Sequence, residues 1–217
     1  MRNAIITLPL ALTLSLSVGC ISAVRGSGEV LEEERSLEPF RAVSVSGDLD
    51  VDIVVGKRQK VLLRFDDNLL DLIQTEVVDD VLEIRPSADI GFYDTTATDV
   101  QIEVPALIAY SASGDTRSEL LGVRTANFEL DLDGASEIAV EGEVNKLSIG
   151  ASGDSKIHTR NLEATDVEIA ASGDSELTIF ASRSVRGSVS GAGSVTVYGD
   201  PEDTDILESG DVLVEYR

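Results

Sequence analysis

Six glycines in the second half of the chain, Gly114, Gly134, Gly153, Gly173, Gly191 and Gly210, recur at spacings of 20, 19, 20, 18 and 19 residues. The residue before each is Ser113, Asp133, Ser152, Ser172, Ser190 or Ser209, and the residue after is Asp115, Ala135, Asp154, Asp174, Ala192 or Asp211. Four and six positions past the glycine stand Ile138 with Val140, Ile157 with Thr159, Leu177 with Ile179, Val195 with Val197, and Val214 with Tyr216. Six and four positions before the next glycine stand Phe128 with Leu130, Leu147 with Ile149, and Val167 with Ile169. Ser118 with Leu120, Val185 with Gly187, and Thr204 with Ile206 fit less well. A unit of this length with two short apolar strand pairs cannot bury its own inner face, whereas stacked units can, each adding about 4.8 Å. Glycine supplies the positive φ that turns every coil at the same place. The expected fold is all-β, a parallel β-helix with coils of about 20 residues over 111–217. A sandwich of short strands is the competitor, but its turns have no reason to repeat one tripeptide.

Upstream, apolar residues alternate at period two: Val43 and Val45; Leu49, Val51, Ile53 and Val55; Val61, Leu63 and Phe65; Leu82 and Ile84; Val100, Ile102 and Val104. That is strand periodicity on a half-buried surface. Asp79-Asp80 and Pro86-Ser87 read as turns, and Leu69-Leu70-Asp71-Leu72-Ile73 as one short helical turn. The expected organisation is a single β-helix domain over 39–217, with irregular coils over 39–110. Residues 20–38, with Arg25-Gly26-Ser27-Gly28 and Glu32-Glu33-Glu34-Arg35, read as a flexible, charged linker.

Residues 1–19 have the order of a secretory signal: the basic start Met1-Arg2-Asn3, an uncharged run from Ala4 to Val18, and the small Gly19 at the cut. The run is shorter than the roughly 20 residues that a helix needs to cross a bilayer. Cys20 is the only cysteine, so no internal disulfide forms. The string Leu16-Ser17-Val18-Gly19-Cys20 resembles a bacterial lipoprotein signal, with Ser17 where leucine is usual. The resemblance implies cleavage before Cys20, lipidation of its sulfur and a membrane-anchored protein. Ile21 stands where an inner-membrane retention signal would place aspartate, so the implied address is the outer membrane.

A net charge of −23 repels nucleic acid and anionic headgroups. It suits a solvated surface, cationic partners or divalent ions. Tryptophan is absent and aromatic residues make up 4% of the chain, which weakens a sugar-stacking groove.

Arg25-Gly26-Ser27-Gly28, the run from Phe40 through Ser46-Gly47-Asp48 to Val51, and the recurring Ser-Gly-Asp corners resemble the bacterial head GIN domain proteins, a family described as autotransporter adhesin heads. The likeness spans roughly 24–216. It implies a right-handed β-helix and an exported, often lipid-anchored protein, and it supplies no active-site residues.

Among the chemistry-bearing residues, Asp115, Asp154, Asp174 and Asp211 recur beside the corner glycines. Only Asp154 and Asp174 fall on adjacent coils, because Ala135 and Ala192 break the row. They are the candidate Ca²⁺ ligands, although Asp and Ser also serve turns on their own by bonding backbone amides. His158, the one histidine, falls between the inward Ile157 and Thr159 and should point outward, in line with Ala139, Thr178 and Thr196. Arg160 and Lys156 lie near Asp154, a weak sign of a polysaccharide lyase. Asp66-Asp67 and Asp79-Asp80 read as loop carboxylates. No phosphate loop, nucleotide fingerprint or Ser-His-Asp spacing is present. The expectation is a non-enzymatic, exported envelope protein without a cofactor. It is anchored to the membrane through Cys20 and offers a β-helix face to a protein or glycan partner, with self-association through the last coil as a further possibility. A polysaccharide-active enzyme and a Ca²⁺-stabilised scaffold are the alternatives.

Overall fold

The computed structural model describes residues 22–87 and 90–217. The signal segment and Cys20 lie outside them. The strands in chain order are β1 (Ser22–Arg25), β2 (Val30–Arg35), β3 (Ala42–Ser46), β4 (Asp50–Val55), β5 (Lys60–Asp66), β6 (Ile73–Val78), β7 (Val81–Pro86), β8 (Ile90–Tyr93), β9 (Thr98–Val104), β10 (Ala109–Gly114), β11 (Arg117–Gly134), β12 (Glu137–Ala151), β13 (Lys156–Gly173), β14 (Glu176–Gly191), β15 (Ser194–Tyr198), β16 (Asp203–Gly210) and β17 (Leu213–Tyr216). A single 3₁₀ turn at Leu70–Leu72 falls where the helical turn was expected. Fifteen strands form one continuous sheet, and β1 pairs with β8 in a separate parallel ribbon. This is the expected parallel β-solenoid, with coils of about 20 residues and an irregular N-terminal region.

Each regular coil has a first wall leading into the corner glycine and a second wall leaving it. The corners stack: the amides of Asp154, Asp174 and Asp211 donate to the carbonyls of Gly134, Gly153 and Gly191 at 2.8, 2.9 and 2.8 Å. Inward columns run through the stack residue on residue. Phe128, Leu147, Val167 and Val185 form one, and Leu132, Ala151, Ala171 and Val189 another. A Leu or Ile buried in such a column contributes about 1.5–3 kcal/mol.

Two polar exceptions inside the stack have partners. Ser118, which broke the apolar pattern, is buried and lies 2.6 Å from the Tyr110 hydroxyl across the core. Two positions past the corner glycines, Thr116, Ser136, Ser155 and Ser175 form a buried hydroxyl column. Ser136, Ser155 and Ser175 donate to the carbonyls of Asp133, Ser152 and Ser172 at 3.2, 3.0 and 3.2 Å. These buried hydroxyls, two positions past the corner glycines, therefore satisfy carbonyls turned inward by the bend.

The irregular region departs from chain order. The coil of β3 and β4 pairs on one side with β7 and β9, and on the other with β10 and the start of β11. The chain therefore leaves the stack after β4, builds the outer coil beyond it, and crosses back over it to start β10. Gly47 thereby becomes a seventh corner, with its carbonyl beneath Gly114. Antiparallel strands cover this end. β5 lies on β9, β2 on β5, and β6 on β7, with Leu69 and Leu70 buried beneath.

Residues 22–38 correct the expectation of a flexible linker. β2 pairs with β5 throughout, and the Arg25–Gly28 loop is tied down from 38 to 43 residues away. Gly28 N–H donates to Asp66 at 2.6 Å, Ser27 N–H to Asn68 at 3.0 Å, and the Asn68 amide donates to the Arg25 carbonyl at 2.8 Å. Asp66, read as a loop carboxylate, is fully buried at the end of β5 and also accepts from Thr96 N–H at 2.7 Å. Burial alone would raise its pKa, but the amides of Thr96, Gly28 and Ala97 and the Thr96 hydroxyl outweigh it and hold the carboxyl below its usual range.

Candidate functional site

Outward positions on the first wall alternate with the buried ones. Three positions before the corner glycine, Ser44, Ser111, Asp131, Gly150, Ala170, Ser188 and Leu207 stand coil on coil. Small residues in the middle of this column open two hollows of about 450 and 520 Å³, which share Asp131, Gly150 and Ala170 and so form one groove across the coils. A Cβ at Gly150 would meet the Asp131 carboxylate, the movable end of a side chain. Serines 111, 113, 148 and 152 line the floor.

The rim carries charge. Glu129, Asp131, Glu168 and Arg186 border the first hollow. Lys146 bonds Glu168 at 2.8 Å, Arg186 is paired with Asp203, and Arg183 with Asp166, which also accepts from Ser184 at 2.7 Å. Hydrogen bonds from Arg183 and Ser184 hold the Asp166 carboxyl down at about 2. Three carboxylates and an arginine on one groove are what a polysaccharide-active enzyme on this scaffold would require. All four are exposed, and Glu168 and Arg186 are already paired. A general acid instead needs a carboxyl removed from water, its pKa raised by burial. What the groove offers is rows of hydroxyl donors and acceptors beside carboxylate acceptors, suited to holding an extended, hydroxylated or cationic ligand.

The residues singled out from sequence do not converge on this groove. His158 points outward on the second wall, in register with Ala139 and Thr178 as counted, and its Nε2 lies 4.0 Å from Glu137. Lys156 stands between Glu137 and Glu176 on the same wall, and Arg160 lies over the Tyr198 ring, 4.1 Å from its centre. Neither is directed at Asp154. Asp154 and Asp174 are exposed corner residues, and among the described residues no group of three His, Cys, Asp or Glu is placed to hold a metal ion. On the second wall near the covered end, burial followed by the charges of Asp99 and Asp50 raises the Asp52 pKa. The groove residues escaped the sequence reading because on the first wall only inward positions were counted. The signal was the run of Ser, Gly and Ala at alternate outward sites.

A family model described as "Putative auto-transporter adhesin, head GIN domain" matches residues 39–201. Three solved structures share the fold. A "putative adhesin" from Bacteroides fragilis NCTC 9343 superposes with a TM-score of 0.70 at 19% identity, over 89% of this chain and 100% of that one. A "putative lipid binding protein" from Parabacteroides distasonis ATCC 8503 gives 0.59 at 17% identity, over 89% and 99%. A "putative adhesin" from Parabacteroides merdae ATCC 43184 gives 0.54 at 18% identity, over 90% and 99%. No curated protein matches the chain.

Proposed function

The chain belongs to the head GIN domain family of auto-transporter adhesin heads, and from that premise we propose that it is a non-enzymatic, exported envelope protein that adheres to a partner through the first-wall groove. The observation that carries this reading is the groove's form. Its two hollows join over successive coils with a floor of serine, glycine and alanine and a rim of fixed ion pairs. Such a surface gains affinity from many weak polar contacts repeated along a ligand, which is what an adhesive face needs and a catalytic cleft does not. The acidic rim favours cationic or hydroxylated ligands over anionic lipid headgroups.

In this reading Cys20 carries the lipid, and the outer membrane holds the protein. β1 begins at Ser22, so the tether from Cys20 spans at most about 7 Å of extended chain.

Protease shaving of intact cells tests the reading, with Cys20→Ala and lysed-cell controls. Cleavage on intact cells together with loss of adhesion in Ala170→Arg, which blocks the groove floor, is the expected result. Cleavage only after lysis overturns the adhesive role and leaves a periplasmic one.

A further inference from the structure

Both ends of the solenoid present strands paired on one side: among the described residues β2 pairs only with β5 and β6 only with β7 at the covered end, and at the other end β16 pairs only with β14 and β17 only with β15. The outer edges of β16 and β17 carry unpaired backbone donors and acceptors across eight and four residues. Leu207, Leu213 and Tyr216 on this coil are 69, 57 and 51% exposed, and Ile206, Val212 and Val214 rest on the core with one side uncovered. The charges that guard this edge are all acids, Asp203, Asp205 and Glu208 in β16 and Glu215 in β17, with no proline or lysine in either strand.

We propose that this open end takes an extended, lysine- or arginine-bearing strand from a partner protein, added beside β16. Charge selects the occupant. The last coil holds Asp200, Glu202, Asp203, Asp205, Glu208, Asp211 and Glu215 against Arg217 alone; Arg217 is bound to Glu215 at 2.6 Å, and of the acids only Asp203 is paired from the preceding coil, with Arg186. A second copy meeting end to end would set these acids against themselves. A head-to-tail copy would set them against Glu32 of β2 and Glu76 of β6, and against Glu33 and Glu34, whose partners Arg35 and Lys60 are already engaged. Glu208 sharpens the choice. It occupies the next position of the inward column Leu132, Ala151, Ala171, Val189. Covered by another copy, it would be a desolvated carboxylate without a partner, at a cost of several kcal/mol. Covered by a strand with a basic residue facing it, it is paired. Strand addition supplies the main-chain hydrogen bonds, and the alternate side chains supply selectivity. This surface is separate from the groove and does not depend on its role.

The test uses the full chain and two peptides of equal charge. One is an eight-residue alternating lysine-valine peptide, the length of β16. In the other, prolines replace the valines, which removes its ability to pair. The alternating peptide is expected to slow amide exchange across 203–210 by about tenfold or more, the proline peptide to leave it unchanged, and Glu208→Lys to abolish the protection with the melting temperature retained. Equal protection by both peptides, or protection spread over other acidic surfaces, overturns the proposal in favour of bulk charge attraction. A concentration-dependent dimer that buries 203–216 without peptide overturns it in favour of a second copy.

Discussion

Two glycines with almost the same φ separate the cost of turning the chain from the cost of stacking its coils. Gly153 has φ +81° and Gly56 has φ +86°. An alanine at either position pays for a left-handed conformation, about 1–2 kcal/mol. A Cβ on Gly56 would meet nothing within 4 Å, whereas one on Gly153 would lie 2.6 Å from the Gly134 carbonyl oxygen, with further Gly134 backbone at 3.2 Å. That oxygen cannot retreat freely, because it accepts the Asp154 amide at 2.8 Å. Relieving the overlap stretches this bond, worth about 0.5–1.5 kcal/mol net, and overpacks the seam by about 1–3 kcal/mol. Gly153→Ala should therefore lose about 2–4 kcal/mol more than Gly56→Ala, a melting difference of roughly 4–16 °C in a chain of this size. Urea unfolding of both variants measures it, with the m-value checked for loss of a single transition. Equal losses would refute the reasoning, since they would mean that the corners turn the chain but do not hold the coils in contact.

Asp66→Asn should destabilise by about 3–5 kcal/mol, because the backbone amides of Gly28 and Thr96 lose a charged acceptor, and limited trypsin digestion should then cut at Arg25. The folded pKa of Asp66 is depressed, so its stabilisation is present above the ordinary carboxylate value of about 3.9 and is lost as pH falls through the lower folded value. Wild type minus Asp66→Asn should shrink only in that acidic window, and a difference that shrinks near neutrality would be wrong in sign. Tyr110→Phe and Ser118→Ala should each cost about 1–2 kcal/mol, and the double variant less than their sum, as a double-mutant cycle reads directly. Millimolar Ca²⁺ should leave the melting temperature unchanged, since Asp154 and Asp174 are exposed corner residues outside any metal-sized group among the described residues; a site held at 100 times its Kd would instead add about 2.7 kcal/mol.

The repeat was legible because a solenoid writes its spatial neighbours into the sequence at a fixed interval. Ala139, His158, Thr178 and Thr196 could be aligned by counting from a glycine, and they are Cα partners in the fold. The same counting failed wherever the chain left the interval. Gly47 matched the corners in composition, yet its partner Gly114 follows only after the chain has built and recrossed the outer coil. Nothing local could show that β3 and β4 would be inserted between two later coils. The Arg25–Gly28 loop was misjudged for a related reason. Its composition is that of a flexible segment, and the groups that fix it, Asp66 and Asn68, lie on a strand end whose pairing with the N-terminus has no periodic trace. Ser118 broke the apolar pattern because its partner, Tyr110, faces it from the opposite wall.

Inside and outside obey different constraints in this molecule, and the proposed adhesive face rests on the difference. Inward columns are forced: each must match the residue above and below in size, and each corner needs a small residue and a donor for its bent carbonyls, as Ser136, Ser155 and Ser175 supply. Outward columns carry no such demand. Yet the first-wall column falls to glycine and alanine at Gly150 and Ala170, between Asp131 and Ser188, where larger polar residues would serve solubility better. Packing does not require Ala170 to be small, since it is exposed. In the proposed adhesive reading a ligand lying along the groove would, so a bulky side chain at that one site should abolish adhesion while leaving the stack, and its unfolding, intact.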